Sequence, residues 1–183
     1  MAEKYFPDDP LKEYEELTEG YFNVAYEVIF ESGRRVILKV APPEGIPVMA
    51  YEKNIMFAEV EAMKRAAADP LIPVPEIYGY DDSRSICSSF YFFMEKRRGN
   101  SLSSQSQELS EETVHALMRE TGAINRRINE ITCSRFGLPG QTECQGDAWY
   151  HVFKRMMDMG LCDAETRAVD LKLPVSELRE RLA

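Results

Sequence analysis

The chain is poor in the residues that build metal centres and disulfide frameworks. It has four cysteines, Cys87, Cys133, Cys144 and Cys162, and only two histidines, His115 and His151. No two cysteines form a C-x-x-C pair and there are only two histidines, so a zinc site is not expected, and the cysteines read as reduced thiols of a cytosolic protein. No apolar run approaches the roughly 20 residues that a membrane-spanning helix needs. The stretch Met1-Ala2-Glu3-Lys4-Tyr5 has no apolar core of a signal peptide, so a cytoplasmic location is expected. There is no internal repeat. Basic residues are outnumbered: the formal net charge is -9, which repels a phosphodiester backbone and argues against nucleic acid as a partner.

With 183 residues the chain can build one good core or two small lobes. Its first part reads as β-rich. Short strands are expected over Tyr14–Thr18 and Asn23–Phe30, and Ser32-Gly33-Arg34 is a turn signal that leads to a third strand, Arg35–Ala41. Pro42, Pro43, Gly45 and Pro47 then interrupt the pattern. A helix is expected over Tyr51–Ala68. Two strands follow, Glu76–Tyr80 and Ser89–Met94, the latter apolar enough to be buried on both faces. Ser101–Gln107 is polar and of low complexity and reads as a linker.

The second part reads as helical. Ser110 is placed to cap a helix running to about Ile131, with Glu111 and Glu112 at its positive end. Val114, Leu117, Met118, Thr121, Ile124, Ile128 and Ile131 recur at helical spacing. Asp147–Met159 reads as a second helix with Asp147 as its N-cap, and Pro174–Leu182 as a third that is still running at the last residue, which hints at a truncated chain. The fold class is therefore α+β, with sheet and helices segregated. The expected organisation is a first lobe over residues 1–100, a linker over 101–109 and a helical region over 110–183.

Lys39 is the first candidate for chemistry. It is the one polar residue of Val36-Ile37-Leu38-Lys39-Val40, and alternation puts it on one face with Ile37, while Val36, Leu38 and Val40 take the other. Taken alone, it also reads as a lysine that guards a strand edge. Glu59 is the second candidate. On a helical projection it falls near the middle of the stripe of Ile55, Ala62, Met63 and Ala66, widened by Met56 and Ala67, whereas Glu61 and Lys64 lie opposite. A carboxylate buried there needs a cation, and Lys39 is the natural one; the other reading takes Glu59 to solvent at a helix edge. A strand lysine held by a helix glutamate is the pair with which kinases hold nucleotide phosphates.

The turn before the hairpin, Leu17-Thr18-Glu19-Gly20-Tyr21-Phe22-Asn23-Val24-Ala25-Tyr26, departs from the protein-kinase G-x-G-x-x-G. It resembles the G-x-x-N-x-x-Y loop of the aminoglycoside phosphotransferase family of small-molecule kinases, through Gly20, Asn23 and Tyr26. The lysine strand, Glu59-Val60-Glu61-Ala62-Met63, Ile72-Pro73-Val74-Pro75-Glu76-Ile77 and Phe92-Phe93-Met94-Glu95-Lys96-Arg97-Arg98-Gly99 continue the resemblance in order, from about Leu17 to Leu102. Weaker similarity runs on through Phe136-Gly137.

The resemblance implies a protein-kinase-like N-terminal lobe followed by the first helices of a C-terminal lobe. It implies Lys39 and Glu59 as the phosphate-binding pair, the Gly20–Asn23 turn over the phosphates, Ile37 packing on adenine and Met94 at the back of the pocket. The carbonyl of Glu95 and the N–H of Arg97 would meet the adenine edge. ATP or GTP with Mg²⁺ is the implied cofactor. A small hydroxylated acceptor is the implied second substrate, with an aminoglycoside, and hence antibiotic resistance, as one candidate. The family's catalytic-loop pattern H-G-D-x-x-x-x-N and its I-D pair are not in the sequence. Gln145-Gly146-Asp147 lacks the histidine and has Val152 where the asparagine would stand, and Val169-Asp170-Leu171 is no closer. The magnesium ligands are therefore expected in further sequence, and the chain as given is expected to be inactive and to self-associate through an exposed apolar face. The other reading is a non-catalytic module that binds nucleotide or a protein partner.

Overall fold

A computed structural model describes residues 1–18, 20, 22–105 and 109–182. They divide into two compact units, Met1–Glu44 with Ala62–Thr132, and Gly45–Glu61 with Cys133–Ala183.

The first unit opens with a one-turn helix α1 (Ala2–Tyr5). Strands β1 (Leu11–Leu17), β2 (Val24–Phe30) and β3 (Arg35–Val40) form an antiparallel meander. Its β2–β3 turn uses Gly33 at a φ of 84°, a left-handed conformation that glycine adopts without a steric penalty. Helix α2 (Ile55–Ala66) begins in the second unit and ends in the first. Strands β4 (Ile77–Asp81) and β5 (Tyr91–Glu95) complete a five-stranded antiparallel sheet in the order β1-β2-β3-β5-β4. The expected α+β arrangement, an antiparallel sheet followed by helices, is thus what the chain forms.

Alternation along the strands separates two faces. One carries Val28, Phe30, Val36, Tyr91 and Phe93, all buried, with Tyr26, Leu38 and Val40 packed against them. Phe6 closes this core, its ring 4.8 Å from Phe30, 5.5 Å from Phe93 and 5.6 Å from Tyr78. Tyr5 lies directly on Gly79, where any Cβ would collide with the ring. Lys4 Nζ donates to the Asp81 carboxylate at 2.6 Å, and Tyr91 Oη donates to the same group at 3.0 Å. The hydroxyl of Ser83 and its backbone N–H complete the set at 2.6 and 2.8 Å. Lys4 beside it holds the Asp81 carboxyl well below the usual range, helped by Ser83 and Tyr91. The segment read only for the absence of a signal peptide is therefore a structural part of the sheet.

Strand β1 is longer than expected. It is exposed along nearly its whole length and forms one edge of the sheet, where Lys12, Glu13, Glu15 and Glu16 deter pairing with other chains. Ser89 and Phe90 precede β5 rather than open it, while Tyr91, Phe92 and Phe93 are fully buried, as a strand covered on both faces requires. Within the expected linker, Leu102–Gln105 form a one-turn helix, α3; Ser106 and Gln107 of that stretch lie outside the described residues.

Helix α4 (Glu111–Asn129) has the expected cap: Ser110 Oγ accepts from the Thr113 N–H at 3.2 Å. Arg127 in its last turn pairs with Asp69 at 3.1 Å. None of its residues is buried, and Leu117, Met118 and Ile128 stand exposed.

In the second unit the expected helix over Tyr51–Ala68 is broken. A single 3₁₀ turn, Ala50–Glu52, precedes Asn54, whose φ of 56° stops a right-handed helix; asparagine is among the few residues that take this conformation readily. The break is held from outside. The buried Gln141 amide donates to the carbonyls of Ala50, Tyr51 and Lys53 at 3.0, 3.3 and 2.9 Å. Asn54 Nδ2 donates to Gly140 O at 2.9 Å, and Asp163 accepts from the Ala50 N–H at 2.7 Å. A short ladder joins β6 (Phe136–Gly137) to β7 (Gln145–Gly146). Helix α5 (Trp149–Thr166) follows, and α6 (Val175–Arg181) is tied to it by Arg179 and Glu165 at 2.8 Å. Asp147 is not the N-cap of α5. Ala148 occupies that position, with no side-chain cap, and the Asp147 carboxylate pairs with Arg135 at 3.6 Å instead.

Candidate functional site

The second face of the sheet carries the candidate Lys39. Residues of β2, β3 and β5 that alternate with the aromatic core are Ala25, Glu27 and Ile29, then Arg35, Ile37 and Lys39, then Phe92 and Met94. The register sets Lys39 between Ala25 and Phe92, and Ile37 between Glu27 and Met94. Lys39 Nζ stands 5.8 Å from the centre of the Phe92 ring, within the range of a cation–π contact. Lys39 is half-buried, and Ile37 and Phe92 are buried. One charged amine thus rises from an otherwise apolar wall of Ile37, Phe92 and Met94.

The turn that leads into β2 lies at the Lys39 end of the sheet, because Val24 and Ala25 pair with Val40 and Lys39. A Cβ built at Gly20 would lie 3.2 Å from the Asn23 carbonyl oxygen, so a larger residue would press on the turn. Asn23 is half-buried. Glu19 and Tyr21 of this loop lie outside the described residues.

At the other end of β5, the Glu95 N–H donates to Glu76 O at 2.8 Å. The Glu95 side chain is on the aromatic-core side, opposite Val36. It accepts from Arg97 Nη1 at 3.1 Å, and the guanidinium lowers its pKa. Only the main chain of Glu95 is therefore on offer to a ligand on the Lys39 side. Arg97 is exposed.

Glu59 sits on the stretch of α2 that belongs to the second unit. The buried line of the helix is not centred on it as expected. Met56, Val60 and Ala66 are the buried residues, Ala62 and Ala67 are exposed, and Glu59 is half-buried beside the line. The projection weighted the alanines too heavily. An alanine offers little area to bury, so Val60 and Met56 set the orientation.

Sequence reading missed Glu27 and Arg35 on the Lys39 face. Glu27 is buried and pairs with Arg35 Nε at 2.5 Å. The parity of strand positions carries this information, since 35, 37 and 39 share a face. Tyr80 was missed as well. It is opposite Phe92 in the register, and burial pushes its phenol up to about 12. Among the described residues no group of His, Cys, Asp or Glu side chains could hold a metal ion. No helix among them is long and apolar enough to cross a membrane.

The sequence profile of the Phosphotransferase enzyme family (APH) matches residues 13–182. The chain belongs to that family. Among curated proteins it is similar to the subtelomeric hrmA-associated cluster proteins of two Aspergillus fumigatus strains, each 28% identical over 138 residues. The aligned stretch is 75% of this chain and 25% of each relative, so the chain spans about a quarter of the length of the curated relatives it matches. Among solved structures, a Thermobifida fusca protein assigned as a fructosamine-3-kinase aligns with a TM-score of 0.41 at 17% identity. That alignment covers 55% of this chain and 32% of the other.

Proposed function

We propose that this chain supplies the nucleotide-holding part of an ATP- or GTP-dependent phosphotransferase. The enzyme would pass the γ-phosphate to a hydroxyl of a small molecule, with an aminoglycoside as one candidate acceptor. The carrying observation is Lys39, set among Ile37, Phe92 and Met94 on one face of β3 and β5. The residues present fit a nucleotide: a cation for phosphate, an apolar wall for a purine, and a turn at Gly20 where a side chain would press on the Asn23 carbonyl. In this reading Lys39 holds the α- and β-phosphates, and Glu59 holds Lys39. The Gly20–Asn23 turn covers the phosphates, Ile37 packs on the base and Met94 lies behind it. The Glu95 carbonyl accepts from the base edge, and the Arg97 N–H donates to it. Mg²⁺ bound with the nucleotide would neutralise charge on the transferring phosphoryl group; its ligands, like the H-G-D-x-x-x-x-N loop, belong to further sequence of a longer enzyme. The same reading assigns residues 1–100 to a nucleotide lobe, 101–109 to a linker and 110–183 to the start of a helical lobe, in a cytoplasmic protein.

A second reading is a non-catalytic module that binds a partner or a second copy of itself. The uncovered apolar residues of α4, Leu117, Met118 and Ile128, favour it.

Titration with a fluorescent ATP analogue tests the first reading. Lys39→Met is expected to weaken binding by about tenfold or more, which is roughly 1.4 kcal/mol. Equal binding by wild type and Lys39→Met, or none at millimolar nucleotide, rejects it.

A further inference from the structure

A second feature of the first unit carries charged side chains that the nucleotide reading does not use. A groove of about 550 Å³ lies at the end of the sheet away from the Gly20 turn, lined by Glu27, Gly33, Arg35, Lys96, Arg97, Arg98 and Gly99. Four cations face one carboxylate. Arg35 is engaged by Glu27 at 2.5 Å and Arg97 by Glu95 at 3.1 Å. Lys96 and Arg98 form no ion pair among the described residues. In a chain of net charge -9, this is a concentration of cations with two of them uncommitted, gathered by a β-turn and a strand end that both run through left-handed glycines, Gly33 and Gly99.

We infer that this groove is a binding site for a small phosphate-bearing anion, distinct from the phosphate end of the proposed nucleotide site. Guanidinium forks match phosphate oxygens in pairs, and Lys96 adds a point charge. The ligand is small because the rest of the surface is acidic. A nucleic acid or an acidic protein would have to lie against that surface, whereas a compact anion within the groove stays inside a screening length of roughly 8 Å. The groove adjoins the base-edge end of the nucleotide site through Arg97 and lies away from its phosphate end. Arg35 and Lys39 are four residues apart on one strand, about 13 Å at 3.3 Å per residue. The inference does not depend on nucleotide binding.

Titration of the full chain with inorganic pyrophosphate, followed by calorimetry and by amide chemical shifts, tests it. Wild-type chain is expected to bind with shifts centred on residues 33–35 and 96–99. The Lys96→Ala/Arg98→Ala double variant is expected to bind at least about tenfold more weakly, and the exposed position of Arg98 leaves the fold intact. Lys39→Met is expected to keep the pyrophosphate site that the shifts at residues 33–35 and 96–99 report. Pyrophosphate binding that is lost in Lys39→Met and kept in the double variant places the anion at the other site and overturns the inference. No binding at 10 mM or so, or duplex DNA held more tightly than pyrophosphate, overturns it too.

Discussion

On one face of the sheet Phe30, Tyr91 and Phe93 meet Phe6 in a closed aromatic core; on the other, the alternate residues of the same strands are Ile37, Lys39, Phe92 and Met94, with Glu27 and Arg35 beside them. The difference is one of commitment. Every ring of the first face is packed edge-on or tilted against another, at 4.8 to 6.3 Å, and its buried carboxylate, Asp81, has four hydrogen bonds. The second face instead keeps a lysine among apolar side chains. A sheet whose period is two residues can specialise in this way, because each substitution is felt on one face only.

Breaking the first face is expected to have the largest effect on stability. Phe30→Ala removes a fully buried ring and is expected to cost about 3–5 kcal/mol. That lowers the thermal midpoint by roughly 10 °C, as calorimetry would show. An unchanged midpoint would mean that the aromatic core does not carry the fold.

Asp81→Asn comes next. It leaves Lys4 without its carboxylate and is expected to cost about 2 kcal/mol, a typical value for hydrogen bonds to a charged group. The pH dependence has a definite sign. The folded-state pKa of Asp81 lies below its unfolded value, so this contribution is complete above about pH 5 and is lost as pH falls through the folded value. Denaturant midpoints of wild type and Asp81→Asn are therefore expected to converge as the solution is acidified towards about pH 2. Parallel curves would show that Asp81 does not act through its charge.

On the second face, Lys39→Met is expected to cost less stability than Asp81→Asn, since Lys39 is only half-buried and a methionine fills most of its volume. Nucleotide affinity, by contrast, is expected to fall. A large loss of stability would move Lys39 from ligand binding to fold maintenance.

Tyr80 supplies the smallest effect. Its phenol is expected to ionise near pH 12 rather than 10, with stability falling over that interval because only the unfolded chain ionises at the lower value. Tyrosinate absorbance compared between wild type and Tyr80→Phe reads it. A group titrating near 10 would show the second face to be open to water.

The strands that pair within the first face were legible in the sequence because their alternation is a local property. Val28 and Phe30, Val36 and Leu38, and the apolar run at Tyr91–Phe93 all declare their faces over a few residues, and Ser110 declares a helix start in the same local way. The candidate Lys39 was legible for that reason, as a single charge in an apolar strand. What stayed hidden depends on distant partners. Phe6 has no periodic neighbours, and its place is set by Phe30, Tyr78 and Phe93. The helix break at Asn54 depends on the amide of Gln141, nearly ninety positions along the chain. Asp147 looks like a cap until Arg135 offers its carboxylate a cation. Glu59 was found but placed too near the centre of its helical stripe, because counting apolar positions ignores how much area each one has.

The strand order has a consequence for the speed of folding. Strands β1, β2 and β3 are joined by short turns and can associate within microseconds. Strand β5 must then insert beside β3 across a long connection that includes α2 and β4, and the tie from Lys4 to Asp81 closes 77 positions of chain. Contacts of that separation are slow to form because loop entropy must be lost before any pairing rewards it. Until they close, Phe6, Phe30 and Val36 have no Tyr91 or Phe93 to cover them, so a meander formed first exposes apolar side chains. The glutamates of β1 are then more than an edge guard of the finished sheet: they also repel neighbouring chains while the core is still open.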